Sequence, residues 1–278
     1  MEFIQSRMYG LLLGSGVFVG AWVVAKIAKR EKIDPELVWD GLLWVVVAGV
    51  VGARAYHVID LWSYYSQNLG QVMAVWNGGL GIFGALIGGV LGLLLFVRNR
   101  GLSSKDILSL LDVAVVGVPI GQAIGRWGNY FNQELYGKPT NLPWGVMIGP
   151  ENRLVGYESF SKFHPLFLYE SLLSLGLFLI LWSLYRYGRR ETLKHYDKLR
   201  ASQVQDDGFI GWKVGSGKFL GIYLAGYGVI RLVLESWRLE NWKVGDLPVA
   251  SIMSVVIIVI GSWLVVRSNR ARLRNRES

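Results

Sequence analysis

Cysteine is absent from this chain of 278 residues, and histidine is scarce. Without cysteine the chain has no disulfide framework, no thiolate metal site and no cysteine nucleophile of its own. The 3 histidines, His57, His164 and His195, are dispersed along the sequence, and no local spacing of metal ligands appears around them. We therefore expect no metal site and no cofactor.

Charged residues are also few, at 18% of the chain against about a quarter in a typical soluble domain. Hydrophobic residues make up 52%, and several apolar runs reach the roughly 20 residues that a helix needs to cross a bilayer. The 12 tryptophans and 13 tyrosines suit the interfacial belts of a membrane protein. The sequence therefore predicts an all-α integral membrane protein rather than a soluble helical one. The seven predicted spans are residues 9–28, 39–59, 78–97, 107–125, 166–185, 218–234 and 249–266.

Lysine and arginine are distributed unevenly among the segments that connect these spans. Twenty of the 29 lie after the first, third, fifth and seventh spans, whereas seven lie on the opposite side. The positive-inside rule makes the basic side cytoplasmic, so the N-terminus is predicted outside and the C-terminus inside. The net charge of +9 is then a topology signal and a contact with anionic lipid, and nucleic acid is not an expected partner. The first apolar run lacks a preceding basic region, so we expect a span there and not a cleaved signal peptide.

The connections between spans predict one polytopic membrane domain over residues 1–278. The segment of about residues 126–165 is too long for a simple connection and is predicted to fold as a small extracytoplasmic cap. The segment of about residues 186–218 is polar and is predicted to be a cytoplasmic loop, partly helical near residues 190–198. In the third span, glycines recur every four residues at Gly84, Gly88 and Gly92, which favours close packing of two helices over a phosphate-binding loop.

The stretch Gly125–Gly137 concentrates polar groups at the end of an apolar segment. Its polar members Arg126, Asn129, Asn132 and Glu134 fall within nine residues. Such groups are costly at a membrane boundary and often mark a binding site. An interfacial cap, with the arginine reaching lipid headgroups and an asparagine capping a turn, explains the pattern equally well. The residues alone leave both interpretations open.

A second group of charges lies within the sixth predicted span. Arg231 and Glu235 are four residues apart, so they share one face of a helix, and Tyr227 precedes them on the same face. An arginine deep in a span costs about 2.5–3.5 kcal/mol, which pairing with the glutamate would partly offset. A structural ion pair is one interpretation, but we favour an anion site that faces a cavity. Together with Arg126 and Arg238, such a cavity suits a phospholipid headgroup whose tails remain in the bilayer.

These motifs resemble those of the prolipoprotein diacylglyceryl transferase family, the bacterial enzymes that begin lipoprotein maturation. The stretch Gly125–Gly137 resembles the family signature, and ordered matches extend over most of the chain. The further matches are Arg7-Met8-Tyr9-Gly10, Gly52-Ala53-Arg54, His164-Pro165 with Leu168-Tyr169-Glu170, and Tyr227-Gly228 with Arg231, Glu235 and Arg238. Several specific motifs in one order argue against chance agreement.

The resemblance implies a transfer reaction by a multi-pass protein of the bacterial plasma (inner) membrane. Family members move the sn-1,2-diacylglyceryl group of phosphatidylglycerol to the thiol of a lipobox cysteine in a prolipoprotein. A thioether forms and glycerol phosphate leaves. The expected partners are therefore phosphatidylglycerol, prolipoprotein precursors and the lipid bilayer. The lack of cysteine fits this reaction, because the substrate supplies the thiol.

The resemblance also assigns roles to individual residues. Arg126 and Arg231 are expected to hold the phosphate and neutralise its charge, and Glu235 is expected to orient Arg231. The expected catalytic residues are Arg126, Arg231, Glu134, Glu235 and Tyr9. The expected phosphatidylglycerol-binding residues are Arg126, Asn129, Asn132, Gly137, Tyr227, Arg231 and Arg238.

One position departs from the family pattern. Many members carry a histidine in the third-span motif, proposed as a base, and Phe83 stands at that position here. Phenylalanine cannot accept a proton, so the identity of the base stays open among Glu134, His57 and Tyr9. A non-catalytic lipid-binding or lipid-moving protein with the same cavity is the main alternative. An intramembrane protease is disfavoured, because Gly14-Ser15-Gly16 is a poor nucleophile motif without a well-placed histidine.

Overall fold

A computed structural model describes residues 2–202, 214–239, 243–245 and 247–277, with side chains for all of these except 2–6, 193–202, 243–244 and 271–277. The helices within these ranges are α1 (Glu2–Arg30), α2 (Glu36–Asp60), α3 (Trp62–Tyr65), α4 (Ile82–Asn99), α5 (Ser104–Phe131), α6 (Leu166–Ser202), α7 (Lys218–Glu235) and α8 (Val249–Glu277). Short 3-10 helices cover Leu69–Gln71, Val75–Asn77 and Pro150–Asn152. Two-residue strands form the antiparallel pairs β1 (Val146–Met147) with β2 (Lys162–Phe163) and β3 (Lys243–Val244) with β4 (Leu247–Pro248).

Six of the described helices are long and apolar enough to cross a membrane, which confirms the prediction of a mainly helical membrane protein. These segments are Arg7–Arg30, Glu36–Asp60, Ile82–Asn99, Ser104–Phe131, Leu166–Thr192 and Val249–Arg270. They coincide with six of the seven predicted spans. The remaining predicted span is also a helix, α7, but its 18 residues include Lys218, Arg231 and Glu235. Length and composition do not identify α7 as a span, so the seven-span topology stays a prediction.

The end of α6 differs from the expectation. The polar segment of residues 186–218 is predicted as a cytoplasmic loop that is partly helical near residues 190–198, whereas α6 continues as one helix through Ser202. Arginine, glutamate, lysine and leucine favour helix in polar surroundings too, and neither glycine nor proline interrupts the chain between Arg189 and Ser202. Polarity therefore ends the apolar segment without ending the helix. Residues 203–213 of the predicted loop lie outside the described residues.

The chain forms two compact units, residues 1–24 with 108–278 and residues 25–107. In the first unit, α1 and α5 approach closely at glycines, since a Cβ added to Gly16 would lie 2.6 Å from the carbonyl oxygen of Gly121. Close approach of this kind is typical of membrane helices. The expectation of a single membrane domain stays a prediction.

The second unit is built on the pair α2 and α4. Their contact is lined by Gly52 on α2 and by Gly84, Gly88 and Gly92 on α4, where an added Cβ would collide with the facing backbone or a side chain. The spacing of four residues keeps these glycines on one face of α4. The prediction that this stripe packs closely against another helix is confirmed.

The connection between α5 and α6 folds as a small cap. The strands β1 and β2 pair with Val146 opposite Phe163, and Phe163 forms a buried cluster with Tyr136 and Ile148. This connection begins after Phe131, where α5 ends, and the extracytoplasmic position of the cap stays a prediction. Two-residue strands contain too little alternation of polar and apolar side chains to be predicted from the sequence.

The buried carboxylate of Asp112 on α5 fixes the start of α7. Its Oδ2 accepts N–H bonds from Gly215 and Gly217, each at 2.9 Å, and its Oδ1 accepts one from Leu220 at 3.0 Å. The donors at the start of a helix have no helical carbonyl to pair with, so this carboxylate satisfies them. Both glycines have positive φ, 89° and 76°, which turns their N–H groups toward the same acceptor. The start of α7 is thereby held against α5.

Asp112→Ala should lower the thermal stability of the purified protein, because the backbone donors at the start of α7 lose their acceptor. The loss of a helix cap costs about 0.5–2 kcal/mol, and burial of the unpaired donors adds to it. The measurement is the unfolding midpoint in detergent. Asp34→Ala is the matched control, since Asp34 accepts the N–H of Glu36 at an exposed helix start and its loss should have a smaller effect. An unchanged midpoint for Asp112→Ala would contradict the capping role.

Candidate active site

Three helices of the first unit bring five charged side chains together. Arg126 lies near the end of α5, and Glu170 lies in the first turns of α6. Arg231 and Glu235 lie in the last turns of α7, and Arg238 follows that helix directly. Because α5 and α7 end where α6 begins, residues that are distant in sequence meet at one end of the unit.

Glu170 links the two arginines that are expected to hold the phosphate. Its Oε1 lies 2.6 Å from Arg126 Nη2, and its Oε2 lies 3.6 Å from Arg231 Nη1. The short contact lacks the alignment of a hydrogen bond, so it is an ion pair. Next to it, the hydroxyl of Ser171 donates to the carbonyl of Ala123 at 2.8 Å and ties α6 to α5. The two guanidinium groups therefore face one carboxylate held at a fixed position.

Glu235 extends this row of charges along α7. Its Oε2 accepts a hydrogen bond from Arg231 Nη2 at 3.2 Å and lies 3.9 Å from Arg238 Nη1. The contact between Arg231 and Glu235 follows from their spacing of four residues on one helix face. The expected orientation of Arg231 by Glu235 therefore has the required geometry.

The carboxylates lie deeper than the guanidinium groups. The side chains of Glu170 and Glu235 are 7% and 4% exposed, whereas those of Arg126, Arg231 and Arg238 are 26%, 17% and 22% exposed. A ligand that approaches from outside the protein therefore meets the guanidinium groups first. Three guanidinium groups against two carboxylates leave an excess of one positive charge in this group.

The pKa of Arg238 reflects its burial and the excess of positive charge around it. Burial lowers the pKa of Arg238 below its ordinary value, and the neighbouring Arg231 lowers this pKa further, while Glu235 and Glu170 act in the opposite direction. The side chain stays charged, because an arginine cannot be deprotonated in a protein. A bound anion would offset both the burial and the repulsion, so the group is suited to a negatively charged ligand.

The polar residues at the end of α5 form a second layer beside Arg126. Glu134 accepts hydrogen bonds from Asn129 Nδ2 at 2.8 Å and from Asn132 Nδ2 at 3.4 Å. Arg126 Nη1 in turn donates to Asn129 Oδ1 at 3.5 Å. Gln133 has a positive φ of 51°, which turns the chain back after the helix and returns Glu134 to Asn129. The predicted binding residues of this stretch are thus connected to Arg126.

Two tyrosines complete the predicted set. The ring of Tyr9 packs against Gly128, and its hydroxyl lies within electrostatic reach of Glu134 and Arg126. The Tyr227 side chain lies within electrostatic reach of Arg126 and Arg231. Both tyrosines therefore lie beside Arg126, from opposite ends of the sequence.

Gly137 contributes backbone contacts. Its N–H donates to the carbonyl of His164 at 2.9 Å, and it forms a β-bridge with Arg238. An added Cβ would lie 3.0 Å from both the His164 side chain and the Trp237 carbonyl, so only glycine fits without displacement. The cap is thereby joined to the start of α6 and the end of α7. The expected contact of Gly137 with lipid stays a prediction.

Glu170 is the site residue that the sequence analysis did not select. It appears there only within a family motif, because no charged partner lies three or four residues away on its own helix. An acidic residue inside an apolar helix is nonetheless a signal, since it needs a partner in the protein.

The second unit contains Arg54, His57 and Phe83. Arg54 is buried and donates hydrogen bonds to backbone carbonyls. The ring of Phe83 lies on α4, 43% exposed, with its centroid 5.9 Å from that of Tyr56. The role of His57 as a candidate proton acceptor stays a prediction.

In the described ranges, no group of three histidine, aspartate or glutamate side chains is placed to hold a metal ion.

The fold and the site together define a helical membrane protein with a cluster of partly shielded arginines suited to an anionic ligand. Comparison with known proteins is more specific. A sequence model of the prolipoprotein diacylglyceryl transferase family matches residues 1–267, and the chain belongs to this family. The family assignment made from the motifs is therefore confirmed.

Curated relatives agree with the family match. A protein of Synechocystis sp. is 38% identical over 262 residues, which cover 93% of this chain and 85% of the relative. A protein of Thermosynechococcus vestitus is 37% identical over 263 residues, covering 95% and 88%. One of Synechococcus sp. is 40% identical over 270 residues, covering 93% and 89%. Each of these relatives is named phosphatidylglycerol–prolipoprotein diacylglyceryl transferase.

Proposed function

We propose that this protein transfers the sn-1,2-diacylglyceryl group of phosphatidylglycerol to the lipobox cysteine of prolipoproteins. The observation that carries the proposal is the convergence of Arg126 and Arg231 on Glu170 in a member of this family. In the reaction, the cysteine sulfur attacks the sn-3 carbon of the lipid glycerol. A carbon–sulfur bond forms, the bond from that carbon to the phosphate oxygen breaks, and glycerol phosphate leaves with the electron pair.

The arginines act on the phosphate in two ways. Each guanidinium presents a planar fork of N–H donors that matches phosphate oxygens and remains charged. As the carbon–oxygen bond breaks, the phosphate gains a second negative charge, so contacts from Arg126 and Arg231 become stronger in the transition state. Interactions that strengthen in this way accelerate the chemical step instead of merely tightening substrate binding.

Asn129, Asn132 and Glu134 position the glycerol headgroup in this proposal. Their mutual hydrogen bonds hold them in a fixed arrangement beside Arg126, with amide and carboxylate groups available to hydroxyls. Tyr9 and Tyr227 flank the same arginine and complete the set of proposed binding groups. Glu235 and Glu170 act through the arginines, whose spacing they maintain.

The thiol of the precursor must lose its proton before or during attack. An unperturbed cysteine has a pKa of about 8.5, and nearby guanidinium groups lower this value by favouring the thiolate. The chain contains no cysteine, so the sulfur belongs to the substrate. The proton acceptor is proposed among Glu134, Tyr9 and His57.

Phe83→His should leave the transfer rate close to that of the unchanged protein, because the proton acceptor in this chain lies elsewhere. The phenylalanine ring is 43% exposed, so the smaller imidazole fits without displacing its neighbours. The measurement is the transfer rate as a function of pH. Phe96→His is the matched control on the same helix, and it should impair folding because Phe96 is only 1% exposed. A large increase in the rate of Phe83→His would contradict this expectation and show that a base is missing.

The same proposal includes a topology. α7 serves as the seventh span, the N-terminus lies outside, and the C-terminus lies in the cytoplasm of a bacterial cell, with the protein in the plasma membrane. The excess of lysine and arginine on one side of the predicted spans supports this orientation. The site and the cap then lie toward the outer leaflet, where a secreted precursor becomes accessible.

The direct test combines purified protein, phosphatidylglycerol and a peptide that carries a lipobox cysteine. Mass spectrometry should show the mass of one diacylglyceryl group added to the peptide thiol, together with release of glycerol phosphate. A peptide with serine in place of the cysteine is the control and should gain no mass. Binding of phosphatidylglycerol without any modified peptide would favour a non-catalytic lipid-binding protein and would reject the proposed reaction.

A further inference from the structure

The connection between α2 and α4, residues 61–81, is called the connector here. It contains α3 and two short 3-10 helices. From Leu61 to Val97, through the connector and most of α4, the sequence has no aspartate, glutamate, lysine, arginine or histidine. An aqueous loop of 21 residues without any charge is unusual, because connections between helices are normally polar.

The connector is held in place by the buried side chain of Arg54. This residue on α2 is 6% exposed, and its guanidinium lies over the ring of Tyr65 at 5.2 Å from the centroid. It donates hydrogen bonds to four backbone carbonyls of the connector, those of Gln71, Val72, Gly78 and Gly79. The N–H of Gly81 adds a hydrogen bond to the carbonyl of Ala53 at 2.9 Å. One side chain thus satisfies a set of carbonyls that would otherwise depend on water.

The large apolar side chains of the connector point outward from this fastened backbone. Trp62 is 57% exposed, Leu69 67%, Met73 78% and Trp76 80%. Because the backbone is fixed by Arg54, these exposures belong to a defined conformation. Exposed apolar groups at several positions of one connection mark an interaction surface.

The connector differs in this respect from the connection between α5 and α6. That segment, residues 132–165, carries six charged residues from Glu134 to Lys162 and folds around its own buried cluster. The connector has neither charges nor a comparable cluster among the described residues. At both ends it continues into α2 and α4, which are long and apolar enough to cross a membrane. Its surface is therefore an extension of two faces already suited to lipid.

We propose that the connector lies within the interfacial layer of the lipid bilayer, with Trp62, Leu69, Met73 and Trp76 inserted among the lipids. Tryptophan is enriched at this depth, and apolar side chains there are removed from water. Backbone carbonyls at membrane depth require partners in the protein, and Arg54 supplies them for four residues. The inference concerns how the second unit is anchored, and it goes beyond the proposed function without depending on it.

The natural lack of cysteine makes a direct test possible, because each single cysteine is the only one in the chain. Met73→Cys and Leu69→Cys are labelled with a nitroxide in the full-length protein reconstituted in nanodiscs of phosphatidylcholine and phosphatidylglycerol. Electron paramagnetic resonance then compares collision of the label with oxygen, which partitions into lipid, and with a water-soluble nickel complex. We expect a ratio of oxygen to nickel collision several-fold above that of a label at Val155→Cys, an apolar position that is 94% exposed in the cap.

The outcomes separate the three possible environments of the connector. Equal ratios of oxygen to nickel collision at positions 73 and 155 would place the connector in water and overturn the proposal. Spin–spin broadening between labels at position 73 would identify a second copy of the chain as the occupant and would also overturn it. An oxygen-to-nickel ratio that rises only when a lipobox peptide is added would also overturn the proposal, since the precursor would then be the partner.

A second variant tests the role of Arg54. Arg54→Lys keeps the positive charge but cannot reach four carbonyls, because an ammonium group lacks the planar fork. The label at Met73→Cys should become more mobile and more accessible to nickel in this background, whereas the label at Val155→Cys should not change. Circular dichroism confirms that the helices remain folded. An unchanged label at position 73 would show that the connector is not held by Arg54.

Discussion

Arg126→Ala should abolish transfer to the lipobox peptide while the protein remains folded and inserted. The guanidinium contacts Glu170 and Asn129, so its removal takes away a proposed phosphate contact and the centre of the binding layer. Removal of one donor that stabilises developing charge typically costs about 10²–10³ in rate. Arg126→Lys should restore only part of the activity, because lysine keeps the charge but not the bidentate geometry. The measurement is the initial rate of peptide modification at saturating phosphatidylglycerol.

Arg186→Ala is the matched control for this substitution. Arg186 lies on an exposed part of α6, so its loss should leave the rate nearly unchanged. Equal thermal midpoints of the two variants establish that both are folded. A normal transfer rate in folded Arg126→Ala would remove this residue from the proposed site and with it the main support for the mechanism.

The local features of the site could be predicted from the sequence. The pair of Arg231 and Glu235 follows from a spacing of four residues, and the structure shows the contact at 3.2 Å. The cluster around Arg126 is also local, since Asn129, Asn132 and Glu134 lie within nine residues. In both cases a helix or a tight turn alone brings the groups together.

The connection between these two groups could not be predicted in the same way. Glu170 lies 44 residues after Arg126 and 61 residues before Arg231, so only the packing of α6 beside α5 and α7 places it between them. Hydropathy likewise gives little information about α6 beyond residue 185, where the predicted span ends, because helix propensity continues where apolar character ends.

The charged residues of α7 explain why its composition differs from that of the other long helices. Lys218, Arg231 and Glu235 keep this helix from being identified as a span by composition, and two of them belong to the site. Charges are retained inside an apolar helix when they perform a function there. Composition alone therefore does not identify as a span the helix that contributes most charged residues to the proposed site, and the role of α7 as a span stays a prediction.

Glu170→Gln should lower kcat by roughly 10–100-fold, because a misplacement of reacting groups by about 1 Å can cost that much. The glutamine matches glutamate in size, but it removes the charge that holds Arg126 and Arg231 near each other. Its amide group would also point N–H donors at a guanidinium, so the two arginines should separate. The excess positive charge of the site rises by one unit, so the affinity for anionic lipid should not fall. We therefore expect the KM for phosphatidylglycerol to change little while kcat decreases.

This separation of kcat from KM distinguishes positioning from a purely structural role. Breaking a buried ion pair commonly costs about 3–5 kcal/mol of stability, so the folded fraction must be measured alongside the kinetics. Glu151→Gln, at an exposed position of the cap, is the matched control and should alter neither the kinetics nor the folded fraction. Glu170→Asp keeps the charge but shortens the side chain, so it should reach one arginine and retain an intermediate kcat. An unchanged kcat in folded Glu170→Gln would show that the arginines keep their positions without this carboxylate.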